Sequence, residues 1–357
     1  MRIAVLGAGL IGGSIGLAAR ECVEGAEVVG FGRSPERLER ARELGAIDSV
    51  AETLEQALEG ASACFCCAPV GVLGDQIAAA LEAAGEDCVV TDVGSIKGDI
   101  VDAVGDPRFV GGHPIAGAET AGVDHARADL FRGATWYLTP TQQSSGVLFE
   151  RLHRFVAALG ARPVAIDAES HDRLLATVSH LPHVLANVLV AQAAGALGEE
   201  DEALPRVGPS FRDATRVAGA NSAIWTDIYV ANREAIASEI DAAVERLQAA
   251  ATTLRAGDPE ALTAWNEHAA DCRRRLLEAD LAGGAVHELR ITVPNRPGIV
   301  AEVALALGKA GVNIVDMALA PAPDMRSGAI TLWIAGDEPA ARARALIDDL
   351  GFPVAEA

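Results

Sequence analysis

Apolar runs of four to six residues alternate with longer amphipathic stretches through the first half of the chain. They fall at residues 2–6, 27–31, 63–68, 88–92, 135–138 and 163–166, with helical periodicity between them. This βαβ rhythm predicts a parallel sheet covered on both faces, an α/β domain over residues 1–166. From about 167 to 282 strand signals nearly vanish, and Ala, Leu, Glu and Arg recur at helical spacing. The segment reads as all-α, and Pro205-Arg206-Val207-Gly208-Pro209 is its clearest break. Gly283-Gly284 reads as a linker. Residues 286–357 then run strand, helix, strand, strand, helix, strand: alternation over 287–293, a helix over 299–310, strands over 312–318 and 329–334, a helix over 339–350 and a short strand at 353–354. That order predicts a ferredoxin-like α+β module.

Three segments in 357 residues agree with the length expected of two or three domains. The formal charge of −21 argues against a nucleic-acid partner, which selects clustered positive charge, and against attachment to anionic lipid. No uninterrupted run of 18 apolar residues occurs, so no membrane-spanning helix is expected. The apolar N-terminus behind Arg2 has the look of a signal peptide, but Gly7, Gly9, Gly12 and Gly13 interrupt it. Of six cysteines, Cys64, Cys66 and Cys67 sit inside an apolar run, where thiols serve as small core hydrophobes. A reduced, cytoplasmic protein is expected, and no metal-binding pattern is present.

Gly7-Ala8-Gly9-Leu10-Ile11-Gly12 follows the first strand and opens a helix. Gly7 permits a tight turn, Gly9 lets the backbone approach a pyrophosphate, and Gly12 lets helix and strand pack closely. The free N–H groups and positive dipole end of the helix then face the phosphates. A lone G-x-G-x-x-G is weak evidence, but its place on the first strand of a βαβ unit is the confirming context. In NAD sites an acidic residue usually ends the second strand, to hold the ribose 2′-OH. Here that strand ends Gly32-Arg33-Ser34. With no carboxylate to repel a 2′-phosphate and a guanidinium able to pair with it, the pattern favours NADP, or use of both cofactors. The bland alternative is a solvated Arg33 that stacks on the adenine. The cofactor-contacting set is Gly7, Gly9, Leu10, Ile11, Gly12, Gly32, Arg33, Ser34 and Pro69.

Asp92-Val93-Gly94-Ser95-Ile96-Lys97 lies at the carboxyl end of a strand, where α/β sheets place ligands. Gly111-Gly112-His113-Pro114-Ile115-Ala116-Gly117 reads as a loop that fixes His113 between glycines and a proline, suited to proton transfer near neutrality. In Ser179-His180-Leu181-Pro182-His183, Ser179 and His183 share one helix face. Pro182 lacks an N–H, so the Val178 carbonyl loses its donor and the helix is expected to kink beside a pocket. Phe211-Arg212-Asp213-Ala214-Thr215-Arg216 places two arginines four apart, with Trp225 nine residues further on. Such arginines usually end in surface ion pairs. Only two of the 29 basic residues are lysines, Lys97 and Lys309. Lys97 is a candidate partner for a cofactor phosphate or a nearby acid.

These five motifs, in this order, resemble the prephenate dehydrogenase family, the oxidative decarboxylases of tyrosine biosynthesis. The third segment resembles an ACT domain, through Asn295-Arg296-Pro297-Gly298 and Gly311-Val312-Asn313-Ile314. The resemblance implies a Rossmann-type nucleotide-binding domain (1–166), an all-α dimerisation domain (167–282) and a ferredoxin-like ACT domain (286–357). It implies His113 as acceptor of the C4 hydroxyl proton of prephenate, and Ser95 on the same hydroxyl or on the nicotinamide. It further implies Arg216 on a substrate carboxylate, His183 and Ser179 near the pyruvyl side chain, Glu119 in a polar gate and Trp225 at the pocket edge. The dimer would be built by the helical segment. An amino-acid effector, tyrosine for preference, would meet Asn295, Gly298 and Asn313. The family's NAD-using members commonly carry an acid where Gly32 stands, so cofactor choice stays open, as does arogenate in place of prephenate. Two rival readings remain: a non-catalytic amino-acid sensor, and another nicotinamide enzyme such as an imine or 3-hydroxy-acid reductase. The presence of His113 argues against the first, and its pairing with the 179–183 motif against the second.

Overall fold

The computed structural model describes residues 1–117, 120–195, 207–279, 285–294, 299, 302–303, 306–307, 310, 312, 314–321 and 327–356. Two compact units divide the chain, Met1–Arg246 and Leu247–Ala357.

The first unit begins with β1 (Arg2–Leu6), α1 (Leu10–Cys22), β2 (Glu27–Phe31), α2 (Pro35–Glu43), β3 (Ser49–Val50), α3 (Leu54–Leu58), β4 (Ala63–Cys66), α4 (Val70–Ala83) and β5 (Val89–Asp92). The five strands form one parallel sheet in the order β3-β2-β1-β4-β5. Ala4 stands opposite Val29 on one side and Cys64 on the other. The order reverses at β1, so the carboxyl ends of β1 and β4 flank the crevice where such sheets bind ligands. Two apolar layers cover the sheet. One contains Ile3, Val5, Ile15, Phe65 and Trp136, and the other Leu6, Cys64, Cys66, Leu73 and Ile77. Cys64, Cys66 and Cys88 are buried free thiols. Burial holds Cys88 up at about 12, so it behaves as a small hydrophobe.

The expected single parallel sheet is divided. After α5 (Gly98–Ala103), strands β6 (Gly111–Pro114), β7 (Thr135–Thr139) and β8 (Arg162–Ala165) form a separate three-stranded sheet in the order β6-β7-β8. The pair β6/β7 is antiparallel and β7/β8, bridged by α6 (Gly146–Ala158), is parallel. The glycine-flanked histidine thus lies in a strand rather than a loop. A Cβ at Gly112 would fall 2.7 Å from the Asp92 carbonyl oxygen and 2.7 Å from Thr91 Oγ1. Only glycine lets β6 approach the end of β5 this closely.

Helices follow: α7 (Ala168–Leu175), α8 (Leu181–Gly195), α9 (Pro209–Thr215), α10 (Ser222–Ala231) and α11 (Arg233–Ala256). Asp167 caps α7 by accepting from the Ser170 amide at 2.8 Å, and Asn221 caps α10 through the Ala223 amide at 3.0 Å. The kink expected at Pro182 takes the form of a π turn over Ala176–His180, closed by the Leu181 amide donating to the Ala176 carbonyl. A proline that cannot close the ordinary bond is accommodated by one wider turn. The helical run Ala168–Gly195 is, by length and composition alone, apolar enough to cross a membrane, although no uninterrupted run of 18 apolar residues occurs in it. Averaged hydropathy passes where an uninterrupted run does not, because His171, Asp172, Ser179, His180 and His183 punctuate it.

The second unit holds α12 (Pro259–Ala279) and an antiparallel sheet of β9 (Val286–Pro294), β10 (Ile314–Pro321), β11 (Ser327–Ala335) and β12 (Val354–Glu356), with α13 (Asp337–Asp349). The strand order β10-β11-β9-β12 is that of a ferredoxin-like module. Ile299, Val303 and Leu307, four residues apart, pack with Ile291, Leu332 and Ile347 in its core. The linker Gly283-Gly284 lies outside the described residues.

Phe65 is fully buried between Trp136 and Phe155, with ring centroids 6.3 and 5.3 Å away. Phe65→Ala is expected to cost about 3–5 kcal/mol of stability, read as a lower urea midpoint. An unchanged midpoint would contradict this packing.

Candidate active site

The turn from β1 into α1 forms the first part. Gly7 adopts φ +112°, and a Cβ on Gly12 would fall 2.2 Å from the Gly7 carbonyl oxygen. Above Gly9 there is open space: a Cβ there meets nothing within 4 Å. No side chain caps the 13-residue helix α1 at Gly9. An uncapped helix end beneath open space fits a dinucleotide pyrophosphate. Gly32 follows β2, where a Cβ would meet Leu38 only at 3.9 Å, so a side chain has room there. Arg33 is exposed and makes no ion pair among the described residues. The Ser34 hydroxyl caps α2, accepting from the Arg37 amide at 3.4 Å. Pro69 stands at the start of α4. Gly71, the second residue of α4, donates its amide to Asp227 of α10 at 3.4 Å.

The loop after β5 is organised by two buried carboxylates. Asp92 accepts from the Gly94 amide at 2.8 Å and, from across the gap to β6, from the Gly112 amide at 3.0 Å. Lys97, fully buried, forms an ion pair with Asp92. The partner of Lys97 is therefore an acid, and its burial keeps it from a cofactor phosphate. Asp172 of α7 accepts from the Lys97 amide at 2.9 Å and the Gly98 amide at 2.7 Å. Ser95, half-buried, rides on the loop these contacts hold.

His113 sits beside this loop on β6, half-buried and opposite Tyr137 of β7. Its Nδ1 lies 2.9 Å from Nε2 of His171, and His171 Nδ1 lies 2.7 Å from Asp172 Oδ1. His171 is fully buried, with Tyr137 edge-on at 5.6 Å between centroids. Burial holds His113 well below the usual imidazole value, reinforced by His171, Lys97 and His180. A neutral imidazole is the form able to accept a proton.

Neither His171 nor Asp172 was singled out by the motifs. Nor was Asn232, whose Nδ2 donates to the Asp172 carbonyl at 2.8 Å and lies 3.2 Å from His180 Nδ1. The sole signal for the first two was an adjacent His-Asp pair on an amphipathic helix. Asn232 gave none.

A second cluster surrounds His183. Its ring stacks on Trp225 at 3.6 Å between centroids and 10° between planes. Its Nδ1 contacts the Tyr229 hydroxyl and lies 3.3 Å from Asn187 Nδ2. Burial pulls the His183 pKa down. The π turn departs from regular helical phase between Ser179 and His183. His180, 1% exposed, turns toward Asn232 and Trp225, while Ser179 is half-buried. Arg216 opens the short 3-10 turn Arg216–Gly219 and is exposed. Arg212 donates to the Val207 carbonyl at 3.1 Å. Glu119, Asn295, Gly298 and Asn313 lie outside the described residues. A cavity of about 780 Å³ in the second unit is lined by Arg273, Arg274, His287, Trp333 and Arg344, none of which belongs to a motif. Among the described residues no group of three His, Cys, Asp or Glu is placed to hold a metal.

Comparisons with known proteins match these parts in order. Residues 15–165 match the family model "Prephenate dehydrogenase, nucleotide-binding domain", 167–267 its "dimerization domain" and 287–338 the "ACT domain". The prephenate dehydrogenase of Bacillus subtilis (strain 168) is 30% identical over 97% of this chain and 95% of that protein. The cyclohexadienyl dehydrogenase of Zymomonas mobilis is 32% identical over 73% of this chain and 90% of its own. Among solved structures, prephenate dehydrogenase of A. aeolicus, in complex with hydroxyphenyl propionate and NAD+, superposes with a TM-score of 0.71 at 27% identity. That match covers 76% of this chain and 97% of that one. Synechocystis arogenate dehydrogenase gives a TM-score of 0.68 at 27% identity, covering 77% and 100%.

Burial brings His180 down to about 4, against the upward pull of Asp172. The native state then leaves this ring neutral where the unfolded chain, near 6.5, protonates it. Its contribution to stability is complete above about 6.5 and is lost as the pH falls toward about 4. The urea-midpoint gap between wild type and His180→Gln should narrow over that interval. A pH-independent gap would contradict it.

Proposed function

The chain belongs to the prephenate dehydrogenase family, and on that premise we propose how its residues carry out the oxidative decarboxylation of prephenate to 4-hydroxyphenylpyruvate, in tyrosine biosynthesis. The observation that carries the reading is His113: an imidazole held neutral by burial, on β6 of the second sheet, which the Gly112 amide ties to Asp92 at the end of β5 in the sheet that carries the glycine turn. His113 accepts the proton of the C4 hydroxyl, which makes C4 carbonyl-like as its hydride leaves. When bound, the nicotinamide takes up that hydride. The ring carboxylate departs as CO₂ because its C–C bond electrons complete an aromatic ring, so no decarboxylation cofactor is called for.

Ser95 hydrogen-bonds the same hydroxyl or steadies the nicotinamide. Arg216 pairs with a substrate carboxylate, since a guanidinium is the cation best shaped for bidentate contact. In a chain of net charge −21, a dianionic substrate requires such a local cation. His183 and Ser179 line the pocket near the pyruvyl group, with Trp225 at the edge and Glu119 in the gate. The stacking of Trp225 on His183 supports that arrangement. Arogenate is the alternative substrate, because ammonium against keto is the sole difference.

The nucleotide is a nicotinamide dinucleotide. Gly7, Gly9, Leu10, Ile11 and Gly12 hold the pyrophosphate, with Pro69 alongside. NADP, or both forms, is favoured by Gly32, which presents no carboxylate although a side chain has room, and by the exposed Arg33. The enzyme works as a cytoplasmic homodimer. Exposed Leu185, Val188, Leu189 and Val190 on α8 and Ile224 and Val230 on α10 support burial against a second copy. A bilayer is a poor partner for a helix carrying buried His171, Asp172, His180 and His183. Tyrosine binding to the ACT domain through Asn295, Gly298 and Asn313 would regulate turnover by favouring one conformation.

The test is cofactor reduction followed at 340 nm, offering prephenate or arogenate, each with NAD or NADP, with and without tyrosine. Turnover on prephenate is expected. Silence in every well, with nucleotide still bound, would overturn the reading. His113→Asn should lower kcat by roughly 10²- to 10⁴-fold while leaving dinucleotide binding intact. Gly32→Asp should shift preference from NADP toward NAD. An unaltered cofactor ratio would contradict the assignment of Gly32.

A further inference from the structure

We propose that His171 and Asp172 are positioning residues that select the tautomer of His113 and take up the charge it acquires. The proposal rests on the dehydrogenase reading above for its chemistry, and on three contacts for its geometry.

An ionised carboxylate only accepts hydrogen bonds. At 2.7 Å from Asp172 Oδ1, His171 Nδ1 is therefore the nitrogen that carries the proton. With a single ring proton, His171 then presents a bare Nε2. That lone pair faces His113 Nδ1 at 2.9 Å, a distance that requires one proton between the two nitrogens. The proton belongs to His113 Nδ1, so the bare nitrogen of His113 is Nε2, and it is the base. Asp172 is fixed independently by the Lys97 and Gly98 amides, at 2.9 and 2.7 Å, so it cannot turn away from His171. The same carboxylate thereby sets the loop carrying Ser95 and the tautomer of His113. Outer partners that orient a base in this way are a recurrent device of acid–base catalysis.

The arrangement also serves the charged state. When the C4 O–H bond breaks, its proton bonds to His113 Nε2. The Nδ1 proton of His113 can then pass to His171 Nε2, leaving the positive charge on the ring beside the Asp172 carboxylate. Nothing is gained or lost, and the proton departs later by the reverse path. The groups facing the pair are Asp172, the Lys97–Asp92 ion pair, Tyr137 and His180.

Two substitutions separate this from packing. His171→Leu removes the acceptor. His171→Gln can keep an oxygen toward His113 and an amide N–H toward Asp172. The Leu variant should lose kcat by between about 10²- and 10⁴-fold, with KM and dinucleotide Kd held within about two-fold. The acid limb of its kcat/KM profile should differ from that of wild type, because it reports protonation of the coupled His113–His171 pair in wild type and of His113 alone in the variant. The Gln variant should regain most of the lost kcat. A Leu variant with wild-type kcat and pH profile would overturn the proposal, as would a Gln variant as slow as the Leu variant. Nitrogen-15 NMR of imidazole-labelled protein, with His113 assigned by the His113→Asn variant, reads the tautomer without turnover. Wild type should show the proton on Nδ1, and a proton on Nε2 would overturn the proposal even in an active enzyme. Inactivity of wild type on both substrates would instead count against the dehydrogenase reading alone.

Discussion

The buried carboxylate of Asp172 is the contact on which the site depends. It terminates a helix-borne His-Asp pair, receives two consecutive backbone amides from the loop after β5, and lies one residue from the imidazole that touches His113. A buried charge is tolerated only when it is fully hydrogen-bonded. Here its solvation is supplied by chain segments about 75 residues apart, 172 against 97 and 98. The helical segment is thereby tied to the sheet domain at the point where the chemistry occurs.

The other carboxylate, Asp92, does comparable work one layer deeper. Its two oxygens reach the Gly94 and Gly112 amides and the Lys97 ammonium, locking the end of β5 to the start of β6. A buried ion pair is weak evidence for stability, because desolvation offsets the attraction. Its use here is geometric: it sets the separation between the Ser95 loop and the His113 strand. Keeping the imidazoles buried favours their neutral forms, which is the condition for a base in a protein of strongly acidic composition.

Much of this was legible along the chain. The glycine turn, the parallel strands and the strand order of the last module follow from periodicity and glycine placement, because those features are local. The division into two sheets was not legible, since Gly111 and Gly112 have poor strand propensity and read as a loop. What requires glycine there is the close approach of β6 to Thr91 and Asp92, a contact between segments about 20 residues apart. Pro182 announced a helix irregularity, but not that it would be a π turn bringing His180 rather than Ser179 to Asn232. His171 escaped notice because its importance lies in a partner 58 residues away in sequence. Lys97 was read as a partner for either a cofactor phosphate or a nearby acid, and the buried ion pair with Asp92 decides for the acid.

The central claim is that oxidation at C4 and loss of the ring carboxylate are one event served by one base. Prephenate labelled with carbon-13 in its ring carboxylate measures this directly. The account predicts labelled CO₂ and reduced nucleotide in equal amounts, with an aromatic product. Reduced nucleotide without labelled CO₂, or CO₂ released without reduction, would contradict it.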